Sequence, residues 1–411
     1  MSRIWIDVED IFLHAASFRR PSGIQRVVFE LCQALTFTQG IGLLRHAGRD
    51  GFCVASWHDL AALFRAMARS APPPSTPNGF WPSQRAALQA LAALPGTLLP
   101  PRATGPDPDF QPGDVLLVAG AGWDDPTHTR RLHATKTRFG LRLAVLVYDL
   151  IPLRRPEWFD TQMRTRFTTW IDALLRHADH LLAISQATAA DIARRRIERG
   201  LQKLPAQVIR LGDGFTPAPG ASTGLSGRYA LFVSTLELRK NHALLVEVWR
   251  ILLHRHGPDA VPRLVFVGRE GPLVGDWLAM LRASRFLDGH VIWRQDTSDA
   301  DLTALYAGCD FTLFPSLYEG WGLPVAESLC FGTPCLASGA TSIPEVGGDL
   351  VRYFDPMDLD DTLRAIGDVV ASPESLPTWR ARISAGFHPT PWSATAAMLL
   401  DALRNGSKLQ L

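Results

Sequence analysis

The chain has 411 residues, 46% of them hydrophobic and 20% charged, with a formal net charge of +2. That length exceeds one ordinary core and fits two domains of roughly 150–200 residues, the composition excludes disorder, and the charge balance gives no reason to expect nucleic acid. Five cysteines without a C-x-x-C pair exclude the usual zinc spacings and a disulfide framework.

The cysteines read as small buried hydrophobes in a reducing compartment. Met1-Ser2-Arg3-Ile4-Trp5-Ile6-Asp7 meets acid too soon for a signal peptide, and no stretch approaches the ~20 apolar residues of a membrane span. The expectation is a cytoplasmic protein. Only four of the 42 basic residues are Lys, which reads as lineage bias.

Short apolar runs alternate with helical patterns, as in parallel sheets built from strand-helix-strand units. Ile4–Asp7, Val115–Ala119, Leu143–Tyr148 and His180–Ile184 read as buried strands. A glycine turn, Pro21-Ser22-Gly23, opens a helix over Ile24–Leu35. Residues 70–112 are rich in Pro, Gly and Ser around a helical patch, Gln84–Leu94, and read as a surface insertion able to carry binding contacts. Amphipathic helices follow at Arg164–His177 and Ala187–Arg199. The strongest linker signal runs from Gly212 to Gly227. Beyond it the alternation restarts, with strands at Tyr229–Val233, Arg263–Val267, His290–Trp293, Phe311–Phe314 and Pro334–Ala337. Helices lie between them, at Asn241–His254, Gly275–Ala283, Ala300–Ala307 and Pro324–Phe331. The expected domains are 1–212, a linker at 213–226, 227–385, and a last segment 386–411 whose helix, Trp392–Leu403, follows a Pro-rich break. Ligands of open parallel sheets sit at the carboxyl ends of strands, so both domains would turn loops towards a shared cleft.

The most specific passage is Phe314-Pro315-Ser316-Leu317-Tyr318-Glu319-Gly320-Trp321-Gly322-Leu323-Pro324-Val325-Ala326-Glu327. Proline is best tolerated at the first helical position, so a helix should begin near Pro324 and stop at Gly332. Glu319 then lies in the loop after a strand, and Glu327 in the first helical turn. Free N–H groups around Gly322 and Leu323 form a natural phosphate site. Carboxylates only accept hydrogen bonds and suit sugar and ribose hydroxyls. The alternative is that Glu327 merely complements the helix dipole and Glu319 is solvated.

This passage resembles the Glu, seven residues, Glu motif of retaining glycosyltransferase family 4, which has the GT-B fold: two Rossmann-like α/β domains facing a central cleft. Ser234-Thr235-Leu236-Glu237-Leu238-Arg239-Lys240-Asn241-His242, Val267-Gly268-Arg269-Glu270-Gly271, Gly332-Thr333-Pro334-Cys335 and Ser342-Ile343-Pro344-Glu345 extend the resemblance over the C-terminal half. It implies that Arg239 and Lys240 neutralise a leaving diphosphate, where cations lower the barrier. Glu319 would stabilise the developing charge on the transferred sugar and Glu327 would hold the ribose, with Ser234 and Gly268 beside the donor. Without the resemblance, Arg239 and Lys240 are a loop pair set against a helix dipole. Retention in the family needs no protein nucleophile.

No D-x-D pair stands where a metal-phosphate bridge would need it. Asp358, Asp360 and Asp361 read as a helix cap, Asp299 and Asp301 as helix-start acids, and no metal or other cofactor is expected. Arg19-Arg20-Pro21-Ser22-Gly23-Ile24-Gln25-Arg26 resembles the family's N-terminal glycine loop, which implies that Gly23 and Arg26 lie against the donor phosphate. The alternative is an ordinary strand-helix turn. At Tyr148-Asp149-Leu150-Ile151-Pro152 the family's usual histidine is missing, and Asp149 either orients a sugar or caps a turn. Trp123-Asp124-Asp125 either lines the acceptor side or is a polar turn. His128, His133, His177 and His180 show no metal spacing.

The resemblance implies a nucleotide-diphosphate sugar as co-substrate, GDP-mannose first, then dTDP- or UDP-sugars. Its subset acting on bacterial surface polysaccharides, often mannosyl- or rhamnosyltransferases, implies a saccharide or lipid-linked acceptor. Arg154-Arg155, Arg164, Arg166 and Arg194–Arg196 form either a solvated face or one drawn peripherally to anionic headgroups. The rival readings are a nucleotide-sugar epimerase on the same plan and a non-catalytic binding protein. An NAD-dependent oxidoreductase is opposed by the lack of G-x-G-x-x-G after a strand.

Overall fold

The computed structural model describes residues 2–17, 21–48, 50–69, 108–213, 223–295 and 297–405. The expected helical patch Gln84–Leu94, and most of the 70–112 insertion, lie outside them. The chain divides into two compact units: Met1–Leu153 with Asp160–Gly212 and Pro391–Leu411, and Asp213–Thr390 with Arg154–Phe159. The short segment Arg154–Phe159, expected within the N-terminal domain, therefore groups with the second unit.

The first unit is a seven-stranded sheet, ordered β3-β2-β1-β4-β5-β6-β7. Its strands are β1 (Ile4–Asp7), β2 (Ile41–Ala47), β3 (Gly51–Ala55), β4 (Val115–Val118), β5 (Arg142–Val147), β6 (His180–Ala183) and β7 (Ala206–Val208). All neighbours are parallel except β2 and β3. Every residue of β1 and β4 is buried; β4 is a continuous apolar run, as a strand covered on both faces should be, and β1 is apolar up to Asp7. β2 escapes a hydrophobicity reading because Gly42, Arg45 and His46 interrupt it. The final helix, Trp392–Asn405, packs on the helix Gly23–Leu35 within this unit.

The second unit is a six-stranded parallel sheet, ordered β10-β9-β8-β11-β12-β13. It comprises β8 (Tyr229–Val233), β9 (Arg263–Val267), β10 (Val291–Arg294), β11 (Phe311–Phe314), β12 (Cys335–Ser338) and β13 (Arg352–Phe354). Phe232, Phe266, Phe311 and Phe314 are fully buried and centre the core.

In each sheet the winding reverses beside the first strand, at β1/β4 and at β8/β11. Loops leaving the two strands at such a switch point diverge and open a crevice at their carboxyl ends. The chemistry of both units collects there.

Candidate active site

In the second unit, the loop after β11 carries Glu319 and the segment after β8 carries Arg239 and Lys240. Arg239 and Lys240 lie in a 3-10 turn, Leu238–Lys240, closed by Asn241 in the left-handed conformation at φ 58. The Asn241 side chain donates to the carbonyl of Pro356 at 2.9 Å, which holds that turn in place. Arg239 Nη1 reaches Glu319 Oε2 at 2.8 Å and Lys240 Nζ reaches Oε1 at 2.5 Å. Glu319 and Lys240 are each 8% exposed, so the reading of Glu319 as solvated and of the cations as an exposed loop pair is overturned. A cation pair beside the start of the helix His242–His256 works against the dipole, and the partner that offsets this is Glu319.

The loop is braced from behind. Glu319 N–H donates to Thr341 Oγ1 at 3.0 Å, and Ser342 Oγ donates to the carbonyls of Glu319 and Trp321 at 2.9 and 2.8 Å. Burial pushes the Glu319 carboxyl up, but Arg239 and Lys240 outweigh it and hold it down at about 2. Burial and the neighbouring Arg239 lower the Lys240 ammonium against the pull of Glu319. His242, packed against Phe232 and Phe266, is pushed down to about 3 by burial and by Lys240, and is therefore neutral.

The helix after this loop spans Leu323–Cys330, with Gly322 at its N-cap in a conformation, φ 148 and ψ 52, that favours glycine. Pro324 is thus its second residue, and the helix stops short of the expected Phe331. Glu327 is the fifth residue, past the first turn where it was expected. The dipole reading of that acid loses its basis. Glu327 Oε2 accepts from the Tyr306 hydroxyl at 2.7 Å. The structure therefore joins Arg239, Lys240 and Glu319 directly, and engages Glu327 with a different partner. The N–H groups of Gly322 and Leu323 meet no acceptor among the described residues.

Ser234 and Gly268 follow β8 and β9 side by side. A Cβ on Gly268, which stands at φ +150, would lie 1.9 Å from the Ser234 carbonyl oxygen. Glycine is needed there for two backbones to meet. Ser234 Oγ lies 3.2 Å from His242 Nε2.

In the first unit, Gly23 is the first helical residue after the N-cap Ser22, and Arg26 lies in the first turn, half-buried; burial raises the Glu30 carboxyl, and the nearby Arg26 offsets that only in part. Asp149 Oδ1 accepts from Ile151 N–H at 3.0 Å, which is the turn-capping role. The basic face is broken: Arg195 pairs with Asp172 at 2.7 Å, and Arg196 is buried.

A cluster that the sequence reading missed occupies the β1/β4 switch point. Asp7 Oδ2 lies 3.0 Å from His46 Nε2 and 2.9 Å from His128 Nε2. His46 Nδ1 faces Asp125 Oδ2 at 3.1 Å. With a carboxylate at each ring nitrogen, His46 is a doubly protonated cation. Burial opposes that charge, but Asp7 and Asp125 raise His46 to about 9. Asp125 also accepts from Thr127 N–H at 2.8 Å, so it is both turn and network. The available signal was three acids crowded behind the first strand, Asp7, Glu9 and Asp10, and a histidine inside an apolar run.

Asp7, His46 and His128 bring ligand-type atoms within 4.8 Å of one another. The Trp170 indole, which can only donate, gives its N–H to His128 Nδ1 at 2.9 Å. The His128 proton therefore sits on Nε2, facing Asp7, where a metal would need a lone pair. The trio is arranged for hydrogen bonding.

Among the described residues, no helix is long and apolar enough to cross a membrane. Residues 223–383 match the family described as glycosyl transferases group 1. The serotype-specific mannosyltransferase WbdA of Escherichia coli is 28% identical over 281 residues, covering 63% of this chain and 33% of WbdA. The chain thus spans about a third of the length of that relative. Among solved structures, sucrose-phosphate synthase from Thermosynechococcus elongatus superposes with a TM-score of 0.61 at 17% identity, covering 99% of this chain and 100% of that one. Anabaena HepE in complex with UDP superposes with a TM-score of 0.59 at 16% identity, covering 100% of both chains. The chain has the α/β GT-B fold, two parallel-sheet units, and its second unit carries the match to glycosyl transferases group 1.

Proposed function

We propose that the chain is a retaining, metal-independent glycosyltransferase of family 4. It transfers a hexosyl residue, mannose from GDP-mannose in the first instance, to a glycan or lipid-linked saccharide in surface polysaccharide synthesis. The observation that carries this reading is the convergence of Arg239 and Lys240 on Glu319 beside the acceptor-free N–H groups of Gly322 and Leu323. Two cations and a helix start at a strand switch point suit a diphosphate, and WbdA, a mannosyltransferase by name, supports the sugar.

In this mechanism the bond between the anomeric carbon and the phosphate oxygen breaks, with its electron pair leaving on the diphosphate. Arg239 and Lys240 stabilise that charge in a site of low water content. The acceptor oxygen bonds to the anomeric carbon on the same face and gives its proton to the departing phosphate oxygen. Glu319 shares its negative charge between the cations and the sugar, which is electron-poor at that moment. Glu327 accepts from the ribose hydroxyls, and Ser234 and Gly268 lie along the donor. Asp149 orients a sugar from its capped turn.

A thermal-shift screen of GDP-, UDP- and dTDP-sugars tests the reading, since a ligand at 100 times its dissociation constant adds about 2.7 kcal/mol. GDP-mannose is expected to give the largest shift, and Lys240→Ala to lower donor turnover at least about tenfold. Absence of any nucleotide-sugar shift, or unchanged turnover in folded Lys240→Ala, refutes it.

A further inference from the structure

The hollow at the carboxyl ends of β1, β2 and β4 is lined by Asp7, Asp10, His46, Gly120, Asp125 and His128, with Leu13 at its rim. Among the described residues, one buried side-chain oxygen of this lining is left without a hydrogen-bond partner. Asp10 Oδ2 accepts from Ala121 N–H and from Gln25 Nε2, each at 3.2 Å. Asp10 Oδ1, on a side chain only 8% exposed, has no partner among the described residues. The carboxyl rests on Gly120, where a Cβ would come within 2.3 Å of Asp10 Cγ. A buried acceptor left unmet is costly, and nearly all such atoms find a donor.

The surrounding charges say what that donor is. From the first strand and the turn after it come Asp7, Glu9 and Asp10, and from the loop after β4 comes Asp125. Among the described residues, the cations set against these four are Arg45, which is bound to both oxygens of Glu9, and protonated His46, which lies between Asp7 and Asp125. The other groups facing Asp10, Cys32 on the helix Gly23–Leu35 and Tyr148 after β5, are held neutral by burial. The hollow therefore has surplus acceptors and surplus negative charge. It suits an uncharged hydroxyl and repels phosphate and carboxylate groups.

We propose that this hollow is a hydroxyl subsite, in which Asp10 Oδ1 accepts a hydrogen bond from a neutral saccharide, and that its charge excludes phosphorylated and uronic sugars. The proposal rests on the glycosyltransferase reading and adds the chemical class of the saccharide. The saccharide is the acceptor, and the alternative source of the same hydroxyl chemistry is the donor's own sugar. Burial above all, with the charge of Asp7, pushes the Asp10 carboxyl up to about 7. It is thus poised to take up or release a proton near neutrality, and an incoming hydroxyl favours its charged form.

The test uses the full chain and two methods, ligand-observed NMR and calorimetric titration. The probes are methyl glycosides of mannose, rhamnose and N-acetylglucosamine, with mannose 6-phosphate, GDP and GDP-mannose. At least one methyl glycoside is expected to bind, mannose 6-phosphate at least about tenfold more weakly, and Asp10→Asn to weaken the glycoside at least about tenfold while leaving GDP unchanged. Should Asp10→Asn fail to fold, Leu13→Trp covers the rim from an exposed helix position and should weaken the glycoside likewise. Asp10→Asn weakening GDP-mannose but neither GDP nor the glycosides would assign the hydroxyl to the donor's sugar and keep the subsite. The proposal is overturned if no glycoside binds and GDP-mannose ignores Asp10→Asn, if folded Asp10→Asn binds both as wild type does, or if mannose 6-phosphate binds as tightly as the glycoside. Glycoside binding that depends on Asp10, without any nucleotide binding, would instead remove the transferase reading and leave the subsite standing.

Discussion

Replacing Glu319 by Gln keeps the shape of the side chain and removes the charge that Arg239 and Lys240 both face. Arg239 retains a second carboxylate, Glu237 Oε2, 2.9 Å from its Nε. The buried Lys240 keeps no hydrogen-bonded carboxylate among the described residues. Breaking a buried pair so that one charge remains costs about 3–5 kcal/mol. The proton linkage gives the same scale: a carboxyl held at about 2 in place of 4.5 corresponds to about 3 kcal/mol. Because the folded value is depressed, this stability is complete above pH 4.5 and disappears as pH falls through about 2. Calorimetry of Glu319→Gln at pH 7 should show the second unit melting about 6–20 °C below wild type, at about 2–4 °C per kcal/mol. By pH 3 the difference should shrink by about half. Adding Lys240→Met should recover part of the loss, since a neutral pair leaves no charge stranded at position 240. A variant within about 1 kcal/mol of wild type at pH 7, or a deficit that ignores pH, would refute the account of this cluster. Loss of turnover in either Glu319→Ala or Glu319→Gln is thus expected to come with loss of stability, so turnover is read well below the melting temperature of each variant.

Gly268→Ala sets a methyl group against a backbone oxygen that cannot rotate away, and should cost about 1–3 kcal/mol or more in urea unfolding of the second unit; a neutral effect would mean that the two loops separate easily. His46, raised from 6.5 to about 9, contributes stability that is complete below pH 6.5 and is lost as pH rises through about 9. Wild type should lose about 3 kcal/mol more than His46→Gln between pH 6 and pH 10, read by denaturant unfolding of the first unit, and parallel profiles would show that His46 is not the cation between Asp7 and Asp125.

Much of the architecture was readable from local pattern. β4 and β8 are uninterrupted apolar runs, and β1, β9 and β11 are apolar but for Asp7, Arg263 and Thr312; burial on both faces of a parallel sheet leaves that mark and little else. Ser298 and Asp358 cap their helices as small polar residues before acid-rich turns do. The strands that escaped were β2, with charge inside it, β3, an antiparallel edge, and β7 and β13, too short at three residues each to show a period.

The sequence alone determined which residue types stood ready at the strand ends of the second unit, because Arg239, Lys240, Glu319 and Glu327 fall in contiguous motifs with helix and turn signals around them. Tertiary structure decided who meets whom. Glu319 turned out to be buried between two cations nearly 80 residues away, and Glu327 to face Tyr306. The Asp7–His46–Asp125 network was invisible because its members come from separate strands and loops, and no spacing along a chain encodes a distance across a sheet. Burial has the same origin: the field that holds Glu319 near 2 and lifts Asp10 to about 7 exists only once the strands have aligned and water has left.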